Sequence, residues 1–308
     1  GPYDERNGYT KALEFRKNIQ ANGFTLATEL EYQEREIAGL RLSQIYKRKS
    51  QTGLQIDDEN KHVVFDANFP RKAYTSFDEI PPIVANSLLF VENRALMKDH
   101  PDTWNPAIEW PRFLNATLGY GLKKVGVSYE HSGGSTLATQ IEKFQHAPNG
   151  ITGSGKDKLT QMFTASVRAY MDGGSTADSS RETIREYLNF MPLTAYPGAG
   201  EVIGFPEGMA LWYDANFAEM NKLLQRPEKD LSEDEMKQAG KSYRQALSLV
   251  MAVKKPNAYL VKDRAELEER IDKFLPLMAA EGIISPRMRD AALASRLEFA
   301  DPARLKAI

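Results

Sequence analysis

Apolar residues in this chain recur at three- to four-residue spacings, in long stretches separated by clusters of glycine and proline. That spacing lines one face of a helix, whereas a half-buried strand needs strict alternation, which is scarce here. Helices are expected over 83–97, 111–122, 136–145, 158–171, 180–190, 232–252, 265–280 and 286–294. Breaker-rich segments at 101–106, 146–155, 172–179 and 196–208 stand between them. Strand signal is scarce, and no alternation of strand and helix suggests a parallel sheet. Nearer the N-terminus, 18–49 reads as helical with an interruption at Gly23, and 53–74 as extended around Val63-Val64-Phe65. Ser76, with Glu79 three residues on, reads as an N-cap opening a helix. The expectation is an N-terminal helical and short-strand module over 1–75, followed by a mainly α domain over 76–308.

Length and charge narrow the classes of function. A chain of 308 residues can bury a substantial core. Its 40 basic and 42 acidic residues nearly cancel, so bulk charge does not favour a nucleic-acid partner. With no cysteine, thiol nucleophiles, thiolate metal sites and disulfides are excluded. The longest apolar run, 80–91, is broken by Pro81, Pro82, Asn86 and Ser87 and is too short to span a bilayer. Gly1-Pro2 reads as the remnant of a cleaved tag, which leads us to expect a native N-terminal anchor removed upstream.

Two segments carry the chemistry. Glu92 ends an apolar helical stretch, where partial desolvation would raise its pKa towards that of a general base. The plainer alternative is a surface glutamate paired with Arg94 or Lys98. Some forty residues on, Gly133-Gly134-Ser135-Thr136 precedes an apolar helix. Ser135 or Thr136 would cap it, and the exposed backbone N–H groups could receive an anion. Gln140 and Lys143 lie a turn apart on that helix and could face one ligand. Two similar segments fail the same reading. Gly173-Gly174-Ser175-Thr176 leads into Ala-Asp-Ser-Ser without a following Gln and Lys. The Gly150–Lys156 segment has the outline of a phosphate loop, but Asp157 follows it and no buried strand precedes it.

In this order the segments resemble the signature motifs of the family 51 glycosyltransferases, the peptidoglycan transglycosylases. The first family motif, Glu-Asp-x-x-Phe-x-x-His, corresponds to Glu92, Asn93, Leu96 and Asp99 with His100 beside it. The second, Gly-x-Ser-Thr-x-x-Gln-Gln followed by Lys, corresponds to Gly133, Ser135, Thr136, Thr139, Gln140 and Lys143. The third, Arg-Lys-x-x-Glu, falls on Asp157-Lys158-Leu159-Thr160-Gln161, with Lys156 nearby and Gln161 in place of the second carboxylate. Downstream, Tyr187-Leu188-Asn189 matches the family's Tyr-Leu-Asn, with Arg185 where its Glu belongs, and reads mainly as structural. Weaker matches continue through Trp212-Tyr213, residues 244–249, Pro256 to Tyr259 and Arg270, so the resemblance is collinear over about 53–294.

The resemblance implies a lysozyme-like α-helical fold and an inverting polymerisation of undecaprenyl-pyrophosphate-linked sugars into peptidoglycan-type glycan strands. By carry-over Glu92 is the base and Gln161 stands at the second catalytic position. Arg112, Lys143, Lys156 and Lys158 would neutralise the pyrophosphate, while Gly133, Ser135, Thr136 and Gln140 shape the donor site and Asn189 joins the substrate-side set. No metal ligand is assigned, although a divalent cation, magnesium or manganese, is an option at the pyrophosphate. The segment 113–132 would be a mobile, membrane-facing acceptor flank. The implied partners are a polyprenyl-pyrophosphate saccharide, a membrane surface and cell-envelope proteins, at the periplasmic face of a bacterial inner membrane. Two alternatives remain: a catalytically silent relative that binds lipid-linked glycan or protein, and a polymerase of another lipid-linked sugar.

Overall fold

The computed structural model describes residues 12–22, 51, 55–66, 68–108, 135–147, 152–301 and 303. The expected helix over 111–122, the acceptor flank, and the site residues Arg112 and Gly133 lie outside them. In chain order the described elements are α1 (Ala12–Ala21), β1 (Gln55–Asp57), β2 (Val63–Asp66), α2 (Pro82–Glu92), α3 (Leu137–His146) and α4 (Gly155–Ala169). They continue with α5 (Ala177–Phe190), β3 (Pro192–Tyr196), β4 (Gly200–Ile203), α6 (Phe205–Tyr213), α7 (Phe217–Gln225), α8 (Glu233–Ala252), α9 (Arg264–Ala280) and α10 (Pro286–Leu293). The fold is mainly α, as the periodicity predicts. Two antiparallel two-stranded hairpins, β1–β2 and β3–β4, supply the described strands. Among the described residues no helix is long and apolar enough to cross a membrane.

The chain divides into two compact units, Gly1–Arg48 with His100–Ser180 and Lys49–Asp99 with Arg181–Ile308. In the first, α3 and α4 meet at a seam of small residues, Ala138 and Ala165, with Ala107 against them. Bonds at both ends of the pair, Lys158 to Ser135 and Arg168 to Glu142, show that the two helices run in the same direction. The segment before them is pinned to the far end of α4. Tyr170 donates its hydroxyl to the Thr103 carbonyl at 2.8 Å, Asn105 bonds Ser166 at 3.1 Å, and Thr176 bonds the carbonyls of Asp102 and Trp104.

The second unit is organised on α8. Ser232 and Glu235 form a capping box at its start, the Ser232 N–H donating to Glu235 at 2.8 Å. Nearly all of its length past Met236 is buried, and α2, α6, α9 and α10 pack on it. Gly240 permits the closest approach, since a Cβ there would lie 2.5 Å from the Ala291 carbonyl carbon on α10. Asn189 on α5 is fully buried and clasps the backbone of Tyr74. Its Oδ1 accepts from the Tyr74 N–H and its Nδ2 donates to the Tyr74 carbonyl, both at 2.9 Å. Arg185 adds a third bond to that carbonyl at 3.0 Å. Asn189 and Arg185 of α5 thus hold the backbone at Tyr74.

Three sequence expectations need correction. Residues 83–97 are not one helix: α2 stops at Glu92, Asn93 takes φ −153° and ψ 72°, and a 3₁₀ turn follows over Arg94–Met97. Asparagine holds helical backbone weakly, and its side chain here is wholly buried. Ser76 does not cap a helix; a 3₁₀ turn over Phe77–Glu79 follows it, and the Glu79 carboxylate reaches Thr75 instead, accepting from its N–H at 2.8 Å. The breaker segment 196–208 contains β4 and the start of α6, while α7 was not expected at all. Gly204, at φ +89°, lets the chain pass from β4 into α6 within 2.7 Å of the Asn189 carbonyl, measured from where a Cβ would sit.

Candidate functional site

The apolar face of α2 places Val84, Leu88 and Leu89 in the core of the second unit, and this leaves Glu92 half-buried on its last turn. The carboxylate lies within electrostatic reach of the Tyr187 hydroxyl on α5. Burial, and then the Glu92 charge, pushes that phenol well above its ordinary pKa. Arg94, one of the two cations weighed as a partner for Glu92, turns back on its own helix end. Its Nε donates to the Phe90 carbonyl at 3.0 Å and its guanidinium lies 3.9 Å from the Phe90 ring centroid. Next to Glu92, the Asn93 amide is fully buried and neither of its polar atoms has a hydrogen-bond partner among the described residues.

Apart from Asn189, the other described candidate residues belong to the first unit. Thr136 is the N-cap of α3 and forms a capping box with Thr139. Its hydroxyl accepts from the Thr139 N–H at 3.3 Å and donates to the Ala107 carbonyl at 2.9 Å. Thr136 therefore acts through the helix end that it caps, because its side chain is turned inward. Ser135, one residue earlier, is half-buried and accepts from the Lys158 ammonium at 2.5 Å. Burial, reinforced by the Lys143 charge, lowers Lys158 to a pKa of about 8. Lys156 is exposed on the first turn of α4, whose N-cap is Ser154.

Ser135 and Lys158 thus meet where two parallel helices present their N-terminal ends, within electrostatic reach of Lys143 on the last turn of α3. Unsatisfied N–H groups and two ammonium charges there suit an anion. Gln140 and Lys143 are both half-buried on α3, and the Lys143 ammonium stands 5.1 Å from the Phe144 ring centroid. Gln161 is buried about one turn beyond Lys158, its Oε1 accepting from Thr152 at 3.2 Å.

Among the described residues the donor set does not fit a divalent cation. No three Asp, Glu or His side chains gather among them, and the groups around Ser135 are ammoniums. Glu142 on α3 is a carboxylate of the same helix pair. It is buried and paired with Arg168 at 2.9 Å, and lies 3.5 Å from His146. Sequence reading missed this tie between α3 and α4, since its partners are 26 residues apart.

The Transglycosylase family model matches residues 60–279, and the chain belongs to that family. At the general level this membership means transfer of glycosyl units in building a glycan strand. A comparison with curated proteins found no match.

Proposed function

We propose that this chain is a family 51 glycosyltransferase that extends a glycan strand from polyprenyl-pyrophosphate-linked sugars, at the periplasmic face of a bacterial inner membrane. Glu92 takes the proton from the acceptor sugar hydroxyl. The hydroxyl oxygen attacks the donor anomeric carbon from the face opposite the leaving group, forming the new glycosidic bond with inversion. The bond from that carbon to the pyrophosphate oxygen breaks, and its electron pair stays on the phosphate. Lys158, Lys143 and Lys156, with the N-terminal ends of α3 and α4, receive the growing negative charge. Preorganised donors aimed at developing charge are a large source of catalysis. The observation that carries this reading is the half-buried Lys158 held on Ser135 beside Lys143.

The test is glycan-ladder formation from a polyprenyl-pyrophosphate disaccharide presented in vesicles. Wild type should polymerise, and Glu92→Gln should abolish the ladder while keeping the wild-type melting temperature, because the change deletes the base and keeps the volume. Equal activity in both would overturn the assignment of Glu92. One observation favours the second reading, a silent relative or one using another sugar. Gln161 is neutral where the family carries a carboxylate, and it is held by Thr152. If its missing charge limits the rate, Gln161→Glu should raise polymerisation by roughly 10²–10³. No gain in that variant, with no wild-type ladder, would favour the second reading.

A further inference from the structure

The two hairpins of the second unit meet solvent differently. Leu193, Val202 and Ile203 of β3–β4 are buried, and α6 packs against both strands. In β1–β2 every residue from Ile56 to Asp66 is exposed, and no described element packs on it in that way. Four of these residues are large and apolar. Ile56, Val63, Val64 and Phe65 keep between 48% and 69% of their surface in solvent. An isolated two-stranded hairpin is marginal in water, and contiguous exposed apolar residues mark a surface used in contact.

The ladder is short and open. Ile56 stands opposite Phe65, and the register then passes from Phe65 to Val63, which makes Val64 the extra residue of a bulge. Among the described residues β1 and β2 pair only with each other, so each keeps an outer edge of backbone N–H and C=O groups. An extended segment of another chain can add to such an edge. Its backbone bonds the strand while its alternate side chains cover the apolar residues.

Charge selects the occupant. From Gln55 to Asp66 the hairpin carries four carboxylates, Asp57, Asp58, Glu59 and Asp66, against the one ammonium of Lys61. Asp58 closes the turn by accepting from the N–H groups of Asn60 and His62, both at 2.8 Å, which fixes the acidic end beside the apolar residues. Two copies of the hairpin would bring like charges together, and so would an anionic bilayer. A basic segment meets opposite charge. We infer that the β1–β2 hairpin is a docking element for an extended, basic segment of another protein that carries apolar residues at alternate positions. None of the hairpin residues is assigned to glycosyl transfer.

The test is fluorescence anisotropy of two labelled synthetic peptides, one alternating Lys and Val and one alternating Glu and Val, titrated with the full chain. The Lys–Val peptide should bind saturably, and more weakly as salt is raised, while the Glu–Val peptide should not bind. Hydrogen exchange at the amides of β1 or β2 should slow when the Lys–Val peptide is present. Phe65→Ser should weaken binding roughly tenfold, as for an apolar anchor, and Glu59→Lys about threefold. Both positions are exposed, so both variants should keep the wild-type melting temperature. Val261→Ser, at an exposed apolar position on a different element, should change nothing. Glu92→Gln should likewise leave binding unchanged, which separates this surface from the polymerase reading. The inference is overturned if the Lys–Val peptide does not bind, if the Glu–Val peptide binds as well, or if Phe65→Ser and Glu59→Lys have no effect. It is overturned equally if phosphatidylglycerol vesicles bind the wild type but not Phe65→Ser, or if the wild type forms a dimer that Phe65→Ser dissolves. The apolar residues would then serve a bilayer or a second copy.

Discussion

Lys158 shows how one side chain acquires a property that its type does not have. Desolvation against α3 and the neighbouring Lys143 charge bring its pKa down to about 8, so its charge is lost as pH rises through that value. An ordinary lysine keeps its charge to about pH 10.4. Pyrophosphate binding should accordingly weaken between pH 7 and 9 when followed by calorimetry. Lys158→Met should bind weakly throughout and lose that step. A profile flat to pH 10 in the wild type would mean that Lys158 does not contact the anion. Glu92 and the lysines were legible as residues because each is a charged group in a recognisable motif. The pairing of Lys158 with Ser135 was not, since it joins positions 23 residues apart across two helices.

Among the elements, the start of α3 separates two tasks that adjacent residues perform. Thr136 holds the helix end, through the capping box and its bond to Ala107, and Ser135 faces the lysine. Thr136→Ala should cost about 1–2 kcal/mol of stability, the usual loss for an N-cap, read as a lower denaturation midpoint. Ser135→Ala should leave that midpoint nearly unchanged and weaken pyrophosphate binding. The cores of α3, α4, α5, α8, α9 and α10 could be read from apolar spacing, because a helix carries its pattern within itself. Their ends were less legible. Asn93 terminates α2 through an unusual backbone conformation, and nothing in the spacing from Ile83 to Met97 announces it. The β3–β4 hairpin escaped notice because its strands are short and have their partners in one another, among residues that read as loop.

For the molecule as a whole, the second unit is discontinuous in sequence, its two parts meeting around α8. Arg244, fully buried, holds that centre by donating to Glu268 and Asp272 on α9, both at 2.7 Å, and to the Ala292 carbonyl on α10. Removing one side of a buried charged network is costly, whereas an apolar replacement that keeps the volume is milder. Arg244→Ala should cost roughly 3–5 kcal/mol and lower the melting temperature by about 6–20 °C, with Arg244→Met between it and wild type. A change of less than a degree in thermal unfolding of Arg244→Ala would show that the network contributes little.

Apolar periodicity dictated that this chain would be mainly helical, and the order of short motifs placed it among the transglycosylases, because both properties are local strings of residues. Packing alone assigned the partners. It turned Thr136 inward and Ser135 outward, tied Glu142 to Arg168, closed Asn189 and Arg185 on Tyr74, and left Ile56 and Phe65 exposed on the β1–β2 hairpin. Such choices depend on which side chains meet across long separations in the chain, and on the free energy of leaving a polar group buried without a partner.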